Sequence, residues 1–226
     1  MQIPSELEAA PGPGAADQGG AVHGRVLLAL AREAIADALA APLTAPRTPP
    51  AVLAAPWLRA DGACFVTLTR QRRLRGCIGS VRARRPLADD VRANARAAAL
   101  GDPRFPPLTA GELAATRIEV SLLAPATPLP AASEEEALAA LRPGIDGLIL
   151  DGGGDAHATF LPQVWEQLPS PRDFLAHLKH KAGLPQDFWS PALRLLRYTV
   201  TKWSEPEPPD DPGPAAAASP PEDAPR

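Results

Sequence analysis

The chain has 226 residues, 45% of them hydrophobic, which is enough for one ordinary domain or two small lobes around a packed core. Its formal net charge of −3 excludes a polycation that binds nucleic acid by bulk charge. The charge is uneven, because residues 204–226 hold six acids and one arginine, so residues 1–203 carry +2.

Two cysteines, Cys64 and Cys77, are too few for a disulfide scaffold and point to a reducing, cytoplasmic setting. Residues 1–20 lack a basic start followed by an apolar run, and no stretch approaches the ~18 apolar residues of a membrane span, so no membrane association is expected. Residues 1–20 and 204–226, the latter with eight prolines, lack apolar periodicity and are expected as disordered tails around a folded region at 21–203.

From Arg25 to Ala40, Leu27, Leu30, Ala34, Ile35 and Ala38 recur at helical spacing, which predicts an amphipathic helix. Five prolines make residues 41–56 an irregular connector. Gly62–Thr69 alternates as a strand, Arg70–Arg73 is a polar turn, and Leu74–Val81 returns as a second strand broken by Gly76 and Gly79. Pro86 opens a helix through Ala99 with Leu87, Val91, Ala95 and Ala98 on one face and two acids in its first turn.

The prolines of Asp102–Pro107 impose a fixed loop. Thr109 and Glu112 form a capping box, and Arg117–Leu123 alternates as a third strand. A helix capped by Ser133 follows, and then a hairpin of Gly147–Leu150 with Ala158–Leu161. Prolines at 162 and 171 start helices over Gln163–Leu168 and Arg172–Ala182, the second closed by Gly183, and Arg194–Trp203 reads as one last strand. Frequent hairpins and few crossovers favour α+β with an antiparallel sheet flanked by helices.

The run Arg70–Arg85 holds seven arginines and no acid, and it encloses Leu74-Arg75-Gly76-Cys77-Ile78-Gly79. Clustered guanidinium groups favour a thiolate, so Cys77 is the candidate nucleophile, with Arg75 beside it and Gly76 and Gly79 opening the backbone to a substrate. The competing reading is a small buried residue in a tightly packed strand. The arginine run itself reads as a phosphate or nucleic-acid footprint, a substrate-anion clamp or a solvated hairpin edge. No aromatic is interleaved, which argues against a stacking platform for single-stranded nucleic acid.

His157, after a glycine turn, is a candidate base or a solvent-facing hairpin residue. Glu119 is a candidate acid or base if its strand face is open, and otherwise a partner for the arginines. Asp102 and Arg104 either bind substrate polar groups or form a locking ion pair. His177 and His180, three residues apart, read as a solvated helix face, and Asp151-Gly-Gly-Gly-Asp155 lacks the carboxylate pattern of a calcium loop, so neither a metal nor a cofactor is evident.

Several segments carry a family likeness: Leu74 to Gly79, Pro86-Leu87, Asp102-Pro103-Arg104-Phe105-Pro106, Ile118-Glu119-Val120-Ser121, Asp146-Gly147-Leu148, Thr159 to Val164, Phe174-Leu175 and Lys181-Ala182-Gly183-Leu184. In this order they resemble the AMMECR domain, over about residues 24–203, and among bacteria the chain is similar to the AmmeMemoRadiSam system protein A group. The resemblance implies a two-lobed α+β protein with a smaller second lobe and the Arg-Gly-Cys segment lining an interlobe cleft. It also implies association with a Memo-like protein and a radical SAM protein, and a cysteine-dependent modification of a nucleic-acid base or a protein. The residues equally leave open a non-catalytic adaptor that presents an arginine-rich face to a partner, with Cys77 structural.

Overall fold

The computed structural model describes residues 13–154, 156–190 and 192–207. In chain order the elements are α1 (Pro13–Leu39), the single turns α2 (Pro50–Leu53) and α3 (Pro56–Arg59), β1 (Cys64–Arg70), β2 (Arg73–Gly79), α4 (Leu87–Leu100), α5 (Ala110–Leu113), β3 (Arg117–Leu123) and β4 (Thr127–Pro128). There follow α6 (Glu134–Ala140), β5 (Gly147–Asp151), β6 (His157–Phe160), a 3-10 turn at Pro162–Glu166, α7 (Pro171–Lys181), β7 (Arg194–Tyr198) and β8 (Val200–Ser204). The fold is α+β, with antiparallel strands in two four-stranded sheets ordered β2-β1-β3-β8 and β4-β7-β5-β6.

Period-two alternation turns Cys64, Val66 and Leu68 of β1 and Ile118 and Val120 of β3 to one face of the first sheet. The apolar stripes of α1 (Leu27, Leu30, Ile35) and α4 (Leu87, Val91, Ala95, Ala98) cover that face. Each fully buried leucine or valine there contributes ~1.5–3 kcal/mol of transfer free energy. The second sheet packs Leu148, Leu150 and Leu195 against Phe174, Leu175 and Leu178 of α7, where the Trp165 and Phe174 rings stack at 3.8 Å. A smaller cluster of Ala63, Leu123 and Tyr198, with Phe65, Ile149 and Leu161 against it, draws on both sheets.

The first helix starts at Pro13 rather than Arg25 and turns Ala31 and Ala36 inward, while Ala38, expected on the buried stripe, is exposed. The expected last strand is two. β7 belongs to the second sheet and β8 to the first, with Thr199 between them. Alternation alone does not tell one long strand from two that change sheets. The switch is made where buried Tyr198 packs over Gly147 and donates its hydroxyl to Phe160 O at 3.1 Å.

Beyond β8 the chain stays docked. Arg32 donates Nε to Glu205 Oε1 at 2.6 Å, and Ile118 N donates to Glu205 Oε2 at 2.9 Å, fastening β8 to α1 and β3. Residues 1–12 and 208–226 of the two expected tails lie outside the described residues. Among the described residues no helix is long and apolar enough to cross a membrane.

Candidate functional site

The candidate cysteine is placed by an irregularity in the first hairpin. β1 and β2 meet through Gln71 and Arg72, both with positive φ (49° and 60°), as the tightest hairpin turns require. Pairing begins as Arg70 with Arg73 and Thr69 with Leu74, then slips so that Leu68 faces Gly76 and Thr67 faces Cys77. Arg75 is the extra residue. Without that bulge Cys77 would face Val66 and point into the core, because a one-residue slip exchanges the faces of a strand.

With it, Cys77 lies on the sheet face opposite α1 and α4, and its Sγ is 3.3 Å from Thr67 Oγ1. The same row continues across the sheet, with Thr67 paired to Glu119 and Glu119 to Ser204. Ser204 Oγ donates to Glu119 Oε2 at 2.9 Å. Cys77 and Glu119 therefore flank Thr67, two strand spacings or roughly 10 Å apart. A group resting over Thr67 can meet both.

β2 is an edge strand whose outward backbone groups need partners. The proline-framed loop supplies them. Cys77 N donates to Asp102 Oδ2 at 2.8 Å, and Arg104 Nη2 donates to Cys77 O at 3.3 Å. Arg104 and Asp102 are themselves bridged at 2.7 Å, and the Asp102 carboxyl is held far below the usual carboxylate range, first by Arg104 and then by the Cys77 N–H. The Arg104 guanidinium is pushed above its ordinary range chiefly by Asp102, and Cys77 adds to the effect.

Arg75 does not face the thiol. Its guanidinium donates to Pro106 O at 2.8 Å, to Pro107 O at 3.2 Å and to both oxygens of Glu112 at 3.2 Å, so it fixes the base of the same loop. Gly76 is closed to substrate as well, since a Cβ there would run into the Ala98 carbonyl oxygen of α4. At Gly79 a Cβ would meet the Phe65 ring.

His157 stands away from the Cys77 row, with Nδ1 3.5 Å from Asp151 Oδ1. It shares a cavity of about 560 Å³ with Gly79, Arg82, Arg84 and Lys181. The arginine run is divided in role: Arg70 and Arg75 bind Glu112, Arg85 binds buried Asp90, and Arg82 and Arg84 border that cavity. Cys64 is inert by comparison, fully buried, with its thiol pushed well up by that burial.

The AMMECR1 family model matches residues 28–203. The chain belongs to the AMMECR1 family. A protein of Methanothermobacter thermautotrophicus is 39% identical over 191 residues, covering 81% of this chain and 94% of its own length. One of Thermofilum pendens is 36% identical over 209 residues, covering 84% and 93%. The crystal structure of an uncharacterized protein from Pyrococcus horikoshii superposes with a TM-score of 0.67 at 33% identity, covering 82% of this chain and 92% of that one.

In this AMMECR1 domain, Cys77, Glu119, Asp102 and Arg104 gather around one sheet edge and face, whereas Gly79 and His157 belong to the adjoining cavity. Thr67, Ser204 and Lys181 are additional polar residues of these two places that motif reading passes over. The strand alternation marks Thr67 as outward-facing, but only the bulge pairs it with Cys77.

Proposed function

We propose that this chain is the protein A component of a cytoplasmic modification system that works with a Memo-like and a radical SAM protein. In this reading Cys77 is its reacting thiol and a nucleic-acid base or a protein its substrate. The observation that supports it is the β-bulge that carries Cys77 out of the core and into one row with Thr67 and Glu119. The two sheets are read as two lobes, and the face bearing this row as one wall of the cleft between them.

The chemistry that fits is addition of a thiol across a polarised double bond. Cys77 gives its S–H proton to Glu119 through water bridging over Thr67, and the sulfur forms a bond to the electron-poor carbon. The displaced π pair takes a proton back from Glu119 at the neighbouring atom, so no oxidant or reductant is consumed. Arg104 supplies positive charge for the transient thiolate.

The test incubates wild-type, Cys77→Ser and Glu119→Gln protein with a cell extract and reads the intact mass after denaturation. An adduct on wild type, lost in Cys77→Ser and reduced in Glu119→Gln, with melting temperatures within a few degrees of each other, supports the reading. An unmodified Cys77, together with a melting temperature that collapses in Cys77→Ser, shows the cysteine to be structural. The chain is then an adaptor, and a Memo-like or radical SAM protein recovered with it identifies the partner.

A further inference from the structure

The cavity beside the Cys77 row is bounded on one side by the segment leaving β2 and on the other by β5, β6 and the end of α7. Its volume of about 560 Å³ falls within the range of small-molecule sites. Among the described residues four basic side chains line it, Arg82, Arg84, His157 and Lys181, while Asp151 stands just outside, 3.5 Å from His157 Nδ1.

The neighbouring arginines Arg70, Arg75 and Arg85 are consumed by ion pairs with Glu112 and Asp90. Arg82 and Arg84, in contrast, are exposed and form no ion pair among the described residues. The polar but uncharged groups of the wall are already engaged. Ser80 Oγ donates to Asp90 at 2.6 Å, and Thr159 Oγ1 bonds Leu148 O at 3.0 Å and Tyr198 Oη at 3.1 Å. Two unpaired guanidinium groups on one loop match the oxygens of a phosphate, which they bind as forks.

The remaining lining is apolar, from Val81, Ile149 and Ala158, and Gly79 adds a stretch of wall without a side chain. A basic rim over a smooth apolar wall suits a ligand with an anionic end and a flat, weakly polar body. We infer that this cavity binds a nucleotide, its phosphate held by Arg82 and Arg84 and its base laid against Val81, Ile149 and Ala158. Lys181, whose Nζ donates to Thr159 O at 3.0 Å, adds positive charge from the wall. Gly79 is two residues from Cys77 on the same face of β2, so the base end lies toward the reacting row. This direction rests on the proposed role of Cys77; the binding itself does not.

Calorimetric titration of the full chain with the four common nucleoside 5′-monophosphates, the matching nucleosides and inorganic phosphate tests it. At least one monophosphate is expected to bind saturably, and tenfold or more tighter than its nucleoside or phosphate alone, a difference of ~1.4 kcal/mol. Arg82→Ala/Arg84→Ala should weaken that binding at least tenfold, while Arg73→Ala, which removes an exposed arginine of the same run outside the cavity, leaves it unchanged. Cys77→Ser should also bind normally, so failure of the proposed chemistry and failure of this site are read separately. The inference is overturned if no monophosphate saturates, if the nucleoside binds as tightly, or if Arg73→Ala weakens binding as much as the double variant.

Discussion

Thr67 Oγ1 and Cys77 Sγ meet at 3.3 Å only because β2 carries one more residue than β1 between the turn and this pair. The extra residue, Arg75, acts twice. Its backbone turns Cys77 to the open face, and its side chain ties the hairpin to the Pro106–Pro107 backbone and Glu112. The bulge that exposes the thiol thus also fixes the loop whose Asp102 and Arg104 hold the Cys77 peptide.

The two cysteines are gripped alike and exposed differently. Asp90 accepts from Cys64 N at 3.0 Å and Asn94 donates to Cys64 O at 3.0 Å, a pairing that parallels Asp102 and Arg104 at Cys77. Cys64 faces the core, however, while Cys77 is only half-buried. Iodoacetamide at neutral pH is therefore expected to alkylate Cys77 in the folded protein and Cys64 only on unfolding, with rates about a hundredfold apart or more, since a buried site reacts through rare opening. Peptide mapping over a time course decides it, and comparable rates at both thiols would contradict this placement.

Gly76 and Gly79 should differ in their tolerance of a methyl group. At Gly76 the obstacle is the backbone carbonyl of Ala98, held by α4, so Gly76→Ala must separate strand from helix and should cost about 3 kcal/mol. At Gly79 a Cβ would meet the inner edge of the half-buried Phe65 ring and also the Cys64 carbonyl oxygen at 2.7 Å, but the ring can tilt in part, so Gly79→Ala should cost ~2 kcal/mol, less than Gly76→Ala. Urea denaturation midpoints give both values. Equal losses would mean that the fit of β2 against α4 is looser than the structure shows.

Glu112 sets an acid limit on the loop anchor. The Arg75 guanidinium, followed by the Thr109 N–H and hydroxyl, holds its folded pKa down to about 2 against the ordinary 4.5. A depressed carboxylate pKa stabilises the fold above the unfolded value, and that contribution disappears as pH falls through the folded value. Melting temperature should therefore decline between about pH 4.5 and 2, and Glu112→Gln should start lower at neutral pH yet decline less across that window. Parallel curves for the two proteins would exclude Glu112 as the group responsible.

Much of this architecture was readable from local chemistry. The Thr109/Glu112 capping box, the Ser133 cap, Pro171 at the start of α7, Pro86 ahead of α4 and the alternation of β1 and β3 each follow from a few adjacent residues. The features that were not readable depend on partners far along the chain. The bulge at Arg75 is stabilised by Pro106, Pro107 and Glu112, more than thirty residues away, and the sheet change at Thr199 by Tyr198 contacts on β5 and β6. The arginine run reads as one basic feature in sequence, but folding gives some of its members acidic partners and leaves Arg82 and Arg84 at the cavity.

The Asp102 clamp separates positioning of Cys77 from its chemistry. Asp102→Ala removes the acceptor of the Cys77 N–H and leaves Arg104 without its carboxylate, while the thiol, Thr67 and Glu119 stay in place on the strands. The edge of β2 should then open locally. Amide exchange at Cys77 is expected to accelerate roughly tenfold to a hundredfold, because a charge-assisted hydrogen bond protects it in the wild type. Exchange at Val66 and Val120, in the interior of the same sheet, should change far less. Asp102→Asn keeps an oxygen that can accept from Cys77 N but loses the charge that binds Arg104, so it should fall between the two. Hydrogen exchange followed residue by residue by NMR measures all three proteins. Uniform acceleration across the sheet would show that Asp102 supports global stability, whereas acceleration confined to β2 marks it as the residue that positions Cys77.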